Sequence, residues 1–267
     1  MNHLAKSVLC FCLLVPSLFL PAVAEETALT ERGNEPRKVG PLFTHVLLDN
    51  VLHHHVRDGR FDYMSAETDG DLNKYIASLE LAQPEEFLSE EQHIAFWINA
   101  FNACVLKGIV DKYPVKSVKR IPGFWSTKRF NIAGEVYSLN GIESHIKKLF
   151  RFPHIVFALC RGSADGPTIP ESAYQTYDVV DRLEKMTIDS VNDSHYVRVD
   201  KMGNRVFLSQ LFRWWEDEFE KESGGVGQFL ISYMKSKQQV DAKYIMHNPS
   251  YSLKYLQWNW KLNDTPR

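Results

Sequence analysis

The sequence has little cysteine: four residues in 267, of which only Cys104 and Cys160 lie beyond the first 24. So few cysteines exclude a dense disulfide framework of the kind that stabilises small secreted domains. The remaining two could pair in an oxidising compartment, or both could be buried thiols that pack like small hydrophobic residues. The sequence leaves both interpretations open.

Long apolar runs are also scarce. The first, Val8 to Leu20, follows the positive Lys6 and precedes Ala22-Val23-Ala24, which is the pattern of a secretory signal and its cleavage site. This run is too short, and too interrupted by Pro16, to span a bilayer stably, and no second run of about 18 apolar residues follows. We therefore expect a signal peptide over residues 1–24, a secreted or periplasmic protein, and no stable membrane span after signal removal.

Neither charge nor metal-binding motifs single out a partner. The chain has 31 basic and 33 acidic residues, a net charge of −2, and no basic run stands out, which argues against nucleic acid. The H-E-x-x-H zinc motif is absent. The consecutive residues His53-His54-His55 would point about 100° apart on a helix, so they cannot converge on one ion. We expect neither a metal nor a cofactor.

The most informative segment runs from His93 to Pro114. It is apolar on nearly every side of a helix, which predicts a buried helix at the centre of the domain. Ser89 opens a capping box before this helix, and Pro114 ends it. Asn99 and Asn102, three residues apart, share one helix face. A buried amide without partners costs about 1–3 kcal/mol, so the fold must supply hydrogen bonds to both, in a structural network or in a ligand site.

The remaining pattern predicts an α+β domain. Residues 25–40 are polar without an apolar period and predict a flexible leader, so residues 41–267 would form a single domain. Helical spacing comes early and hairpin patterns late, which favours helices around the central helix, packed on a small, mainly antiparallel sheet. The specific expectations are hairpins over Arg129–Leu139 and Tyr196–Leu208, a central strand over His154–Cys160, and a helix through Leu149 opened by a capping box of Asn140 and Glu143.

The loop after the predicted strand, Arg161 to Pro167, is where an active site is expected. Cys160 or Ser163 could act there as a nucleophile, with loop amides stabilising an oxyanion. Either would need a base. His145 and His154 are candidates in sequence, but no spacing places them beside the nucleophile, and no G-x-S-x-G elbow is present. The simpler roles are core packing for Cys160 and turn capping for Ser163.

A binding pocket is the other interpretation of the same loop. It would lie between the shared face of the two asparagines and residues 161–167, with the Arg161 guanidinium available to an anionic group. The expected ligand-binding residues are Asn99, Asn102, Arg161 and Ser163.

Five motifs in order resemble the domain-of-unknown-function 547 family: VRDGRFDY, AFWINAFNACVLKGIVDKYPVKSVKRI, FNIAGEVYSLNGIE, HIVFALCRGSADGP and LQWNWKLND. The resemblance covers Val51 to Asp264 and implies an exported, bacterial-type member. It implies an architecture remotely similar to papain-like or transglutaminase-like folds, and no established activity comes with it. The matching positions are Phe96, Trp97, Asn99, Asn102, Glu143, Gly162, Ser163 and Pro167.

Departures from the family pattern bear on catalysis. Many members carry histidine where this chain has Ser144 and Val156, and cysteine where it has Arg161 and Gly166. If members run a thiol–histidine reaction, the resemblance implies that this chain lacks parts of it.

Two classes of function follow. The first is a binding or scaffold module of the cell envelope, with an unidentified small molecule or an envelope protein as partner. The second is a hydrolase or acyl-transfer enzyme that uses Cys160 or Ser163 with a nearby histidine such as His145. An imidazole nitrogen within about 3–4 Å of the nucleophile would favour the enzyme, and a buried Cys160 without one would favour binding.

Overall fold

The computed structural model describes residues 43–235, 239–248 and 250–266. The signal peptide and the leader predicted over residues 1–24 and 25–40 lie outside these described residues and stay predictions. All described residues belong to one compact unit, Gly40–Arg267.

Helices dominate the described residues and the strands are short, so the α+β prediction is confirmed. The helices are α1 Val46–His55, α2 Gly70–Glu80, α3 Glu90–Val110, α4 Leu139–Leu149, α5 Val179–Val191, α6 Gln210–Trp214, α7 Glu216–Ser223, α8 Val226–Tyr233 and α9 Gln239–His247. Short 3₁₀ helices span Ser65–Thr68, Pro84–Glu86, Val118–Arg120 and Pro153–Ala158. The strands are β1 Val56–Arg57, β2 Arg60–Phe61, β3 Phe130–Ile132, β4 Glu135–Tyr137, β5 Val197–Asp200, β6 Arg205–Leu208 and β7 Ser252–Tyr255.

The strand pairing is mainly antiparallel. β1 pairs with β2, β3 with β4, and β5 with β6, all antiparallel, while β7 adds to β6 in parallel. Both predicted hairpins are therefore present. In the first, Ala133 and Gly134 have φ of 53° and 74°, which is the backbone that a two-residue hairpin turn requires.

The central helix is α3, and it packs against α2, α4 and α5. At its start, the Ser89 hydroxyl accepts from the Gln92 backbone N–H at 3.3 Å, while the Gln92 side-chain Oε1 accepts from the Leu88 N–H at 2.6 Å. The length and apolar composition of α3 would also suit a membrane-spanning helix. However, 83% of its most apolar window is buried inside the protein, as in the core helix of a globular domain.

The predicted central strand over residues 154–160 is wrong, because Pro153–Ala158 is a 3₁₀ helix. A short, continuously apolar run signals burial but does not distinguish a strand from a helical turn. Here the Asn102 carboxamide pairs with backbone groups at the end of the run and replaces the ladder that a neighbouring strand would supply.

The start of α4 also differs from its prediction. Its N-cap is Ser138, whose hydroxyl accepts from the Gly141 N–H at 3.0 Å. Asn140 and Glu143 therefore do not form the capping box, and the Glu143 carboxylate is free to reach a distant partner.

Candidate functional site

Arg161 is held by an ion pair with Glu143 of α4. Its two terminal nitrogens donate to the two carboxylate oxygens, each at 2.7 Å, and the Trp215 indole N–H donates to the same carboxylate at 2.7 Å. The guanidinium carbon lies 5.2 Å from the centre of the Trp214 ring. The side chains are 5% and 14% exposed, so the pair is largely desolvated. The Arg161 guanidinium, which we expected from the sequence to bind an anionic ligand, is thus already neutralised by Glu143.

The electrostatics of Glu143 follow from this geometry. Burial alone would raise its pKa, but the charge and hydrogen bonds of Arg161, with the Trp215 hydrogen bond and the nearby Lys147 charge, lower it to about 2. Glu143 is therefore a carboxylate at neutral pH. A two-point guanidinium–carboxylate contact is also the strongest kind of side-chain pairing available here.

The two asparagines of α3 are buried, and their carboxamides bind backbone. Asn102 donates to the Ala158 carbonyl at 2.9 Å and accepts from the Cys160 N–H at 2.7 Å. Asn99 donates to the Tyr174 carbonyl at 2.8 Å and accepts from the Tyr174 N–H at 3.0 Å. Each amide therefore fixes one segment against α3 in the way that a neighbouring strand would.

The candidate nucleophiles Cys160 and Ser163 are buried, at 3% and 1% exposure. The Ser163 hydroxyl accepts from the Trp258 indole N–H at 3.0 Å, and the Cys160 sulfur accepts from the Gly162 N–H at 3.4 Å. Burial raises the pKa of Cys160 to about 11. Cys104 and Cys160 are both free thiols, so the disulfide alternative is not seen.

The candidate bases lie against other partners. The His145 ring packs on Trp97, with centroids 4.2 Å apart, and the His154 Nε2 lies 2.6 Å from the Tyr233 hydroxyl. Among the described residues, no hydrogen bond or ring contact joins an imidazole to Cys160 or Ser163. The structure therefore brings the predicted nucleophiles to one loop but does not bring the predicted bases to them.

The outward side of the same loop borders a cavity of about 360 Å³. The Asp165 carboxylate lies 3.5 Å from the His195 Nε2 and accepts from the Asn259 N–H at 2.6 Å. Trp258 joins the two sides, because it both binds Ser163 and lines the cavity. The lining residues are Asp165, Ser194, His195, Arg198, Ser209, Gln210, Leu256, Gln257 and Trp258.

A second polar cluster, which the sequence reasoning missed, joins the end of α1 to the start of α2. His55 Nδ1 lies 2.7 Å from the Ser65 hydroxyl, and its Nε2 lies 2.7 Å from the Asp69 carboxylate. Asp69 also caps α2 by accepting from the Asp71 N–H. The signal was available in part, since an aspartate before an amphipathic helix predicts an N-cap. Within the described residues, no group of three His, Cys, Asp or Glu side chains could hold a metal.

Comparison with known proteins finds a match to a family of unknown function. The family model described as "Protein of unknown function, DUF547" matches residues 85–189, from just before α3 to near the end of α5. This segment contains both asparagines, Glu143 and the 161–167 loop. No curated protein and no solved structure matches the chain, so the papain-like or transglutaminase-like architecture stays a prediction.

Proposed function

We propose that this protein is a non-catalytic binding module that takes a small polar molecule at the cavity beside Asp165. The polar side chains on the inner side of the 161–167 loop already have partners: Arg161 binds Glu143, and Ser163 binds Trp258. The proposed pocket therefore lies on the outer side of the loop, away from the Asn99 and Asn102 face.

The observation that carries this proposal is the lining of that cavity. Its volume of about 360 Å³ suits a small ligand. The lining combines a carboxylate, a guanidinium and two carboxamides, from Asp165, Arg198, Gln210 and Gln257. One positive and one negative group beside neutral amides favour a zwitterionic or hydroxyl-rich molecule over a strongly anionic one.

Differential scanning fluorimetry with free amino acids, dipeptides, monosaccharides and disaccharides tests the proposal. A compound that binds only the folded chain raises its melting temperature. Arg198→Gln and Asp165→Asn should remove that rise, and Arg60→Gln, an exposed arginine of β2, should keep it. If the panel stabilises the wild type and both cavity variants equally, the ligand lies elsewhere.

We also propose that the protein acts in the cell envelope, because residues 1–24 have the pattern of an export signal. N-terminal sequencing of the protein recovered from a periplasmic extract should begin at Glu25. An intact Met1 terminus on cytoplasmic material would contradict export.

A hydrolase is the second candidate, at residues other than those the sequence suggested. Ser65, His55 and Asp69 stand in the order nucleophile, base and orienting carboxylate, with the hydroxyl exposed and the imidazole buried. Serine binds Nδ1 and aspartate binds Nε2, the reverse of the usual serine-hydrolase arrangement. In such a reaction, the Ser65 oxygen would bond to an ester carbonyl carbon, His55 would take the hydroxyl proton and pass it to the departing alcohol, and water would then hydrolyse the acyl-serine.

A fluorophosphonate probe separates the two candidates. The hydrolase predicts covalent labelling at Ser65 that His55→Gln abolishes, with Ser126→Ala as the exposed-serine control. Absence of labelling on the folded chain would reduce the cluster to a clamp between α1 and α2.

A further inference from the structure

Residues 112–129, which we name the basic loop, join α3 to β3 and carry charge of one sign. The loop contains no acidic residue. Its basic residues are Lys112, Lys116, Lys119, Arg120, Lys128 and Arg129. They are spaced over the loop rather than consecutive, which is why no basic run stands out in the sequence.

Three apolar side chains fix the orientation of the basic loop. Val118, Ile121 and Phe124 are buried, at 1%, 7% and 2% exposure. They recur every three residues through the 3₁₀ helix Val118–Arg120 and the turn that follows, so they share one inward face. The basic side chains between them must therefore point outward, and Lys116, Lys119, Arg120 and Arg129 are all exposed.

The outward charges are not neutralised by the described part of the chain. Lys128 pairs with Asp111 of the neighbouring turn at 2.7 Å. Lys112, Lys116, Lys119, Arg120 and Arg129 form no ion pair with a described residue. The surface therefore concentrates positive charge on a chain whose net charge is −2.

Aromatic side chains lie at the same surface. The Lys119 ammonium lies 4.9 Å from the centre of the Trp260 ring, and the Leu262 N–H donates to the Lys116 carbonyl at 3.0 Å, which seats the C-terminal tail against the basic loop. Trp260 and Trp125 are half-buried, and Pro122 is exposed. Lysine beside a partly exposed tryptophan suits the boundary between lipid headgroups and hydrocarbon.

We propose that the basic loop docks the folded domain onto an anionic membrane surface. Anionic headgroups attract clustered lysine and arginine. The tryptophans could also contact the hydrocarbon of a bilayer, which a free phosphate ion does not offer. The positive charge of the basic loop would also attract a nucleic acid. The experiment below therefore includes nucleic acid as the alternative partner. This proposal is independent of the cavity beside Asp165.

The experiment is co-sedimentation of the full chain with vesicles of phosphatidylcholine alone or mixed with phosphatidylglycerol. The apolar run Val8–Leu20 would bind both vesicle types. The measured quantity is therefore the amount of protein bound to anionic vesicles divided by the amount bound to phosphatidylcholine vesicles. We expect the anionic vesicles to bind more, with the excess falling as salt is raised. The triple variant K116E/K119E/R120E should lower binding to anionic vesicles by at least roughly a hundredfold. The loss of each basic residue near such a surface removes about a fivefold factor, and the three introduced glutamates add repulsion.

A matched control changes the same charge elsewhere. K185E/K221E/K243E alters three exposed lysines outside the basic loop and should keep most of the binding. Trp125→Ala should weaken binding to anionic vesicles without changing its dependence on salt. Equal losses in the two triple variants would show that only net charge matters, and tighter binding to a DNA or RNA duplex than to the vesicles would also overturn the proposal.

Discussion

Arg161 and Glu143 meet end to end, with each terminal nitrogen of the guanidinium 2.7 Å from one carboxylate oxygen. The pair ties the 161–167 loop to α4 in a largely desolvated setting. From the resemblance to the 547 family, we expect cysteine at the position of Arg161 in many members. In this chain, the same position carries a residue that fixes the loop and leaves no nucleophile there.

Removing one partner of the Arg161–Glu143 ion pair should destabilise the folded protein. Arg161→Met leaves the Glu143 charge buried without its counter-charge, and we expect the free energy of unfolding to fall by about 3–5 kcal/mol. The double variant E143L/R161M should recover much of this loss, because no unpaired charge remains. Urea denaturation measures both, and a single variant within about 1 kcal/mol of wild type would contradict a tightly coupled pair.

The ion pair also predicts a dependence of stability on pH. The pKa of Glu143 is about 2 in the folded chain, against an ordinary value of 4.5. Its contribution is therefore fully present above pH 4.5 and is lost as the pH falls from 4.5 towards 2; the difference corresponds to about 3 kcal/mol. Glu143→Gln cannot titrate, so the gap in stability between it and wild type should narrow over this window. A gap that is constant from pH 7 to pH 3 would contradict the lowered pKa.

Sequence patterns predicted what depends on local spacing. The apolar run of α3 and the Ser89 cap are local, and both are seen. The strand over residues 154–160 failed because its backbone partner is the side chain of Asn102, more than 50 residues away. A capping spacing likewise suggested the wrong partner for Glu143, whose Trp215 contact spans 72 positions.

The cavity beside Asp165 could not be predicted from the sequence, because its lining residues are distant from one another along the chain. Asp165 was predicted to lie in the loop, but the other lining residues follow different strands. Arg198 lies in β5, Gln210 follows β6 and Gln257 follows β7, so only the β5–β6–β7 sheet brings these segments together. No periodicity links these positions. By contrast, the buried asparagine pair was predictable, because two amides in an apolar helix must find hydrogen bonds wherever they lie.

The asparagines should contribute to stability more than to binding. Asn102→Ala leaves the Ala158 carbonyl and the Cys160 N–H without their partner, and a buried polar group left unpaired costs about 1–3 kcal/mol. Asn99→Ala should behave alike. Asn131→Ala, whose amide lies in an exposed hydrogen bond, should change the free energy of unfolding by less than about 0.5 kcal/mol. Chemical denaturation gives all three values, and an unchanged midpoint for Asn102→Ala would argue against a structural role.

Gly162 should tolerate no side chain. Its φ is +58°, and a Cβ there would lie 2.4 Å from Ile109 Cδ1 of α3 and 3.0 Å from Val118 Cγ1. Gly134 in the β3–β4 turn has a φ of +74°, and a Cβ there would have nothing within 4 Å. Its substitution by alanine therefore measures the cost of backbone strain without any steric clash. We expect Gly134→Ala to cost about 1–2 kcal/mol and Gly162→Ala to cost about 1–3 kcal/mol more, because overpacking adds to the strain. Equal losses in thermal and urea unfolding would mean that the loop shifts away from α3.

Cys160 should be inert in the folded protein. Burial raises the pKa of its thiol to about 11, and only the thiolate reacts readily with disulfide probes. At pH 8, we expect DTNB to modify neither Cys160 nor Cys104 until denaturant is added, when both should react together. The triple variant C10A/C12A/C104A leaves Cys160 as its one thiol, so any signal from that variant comes from Cys160. Rapid labelling of that variant in its folded state would show that the sulfur is reachable, and it would favour the thiol-based enzyme over the binding module.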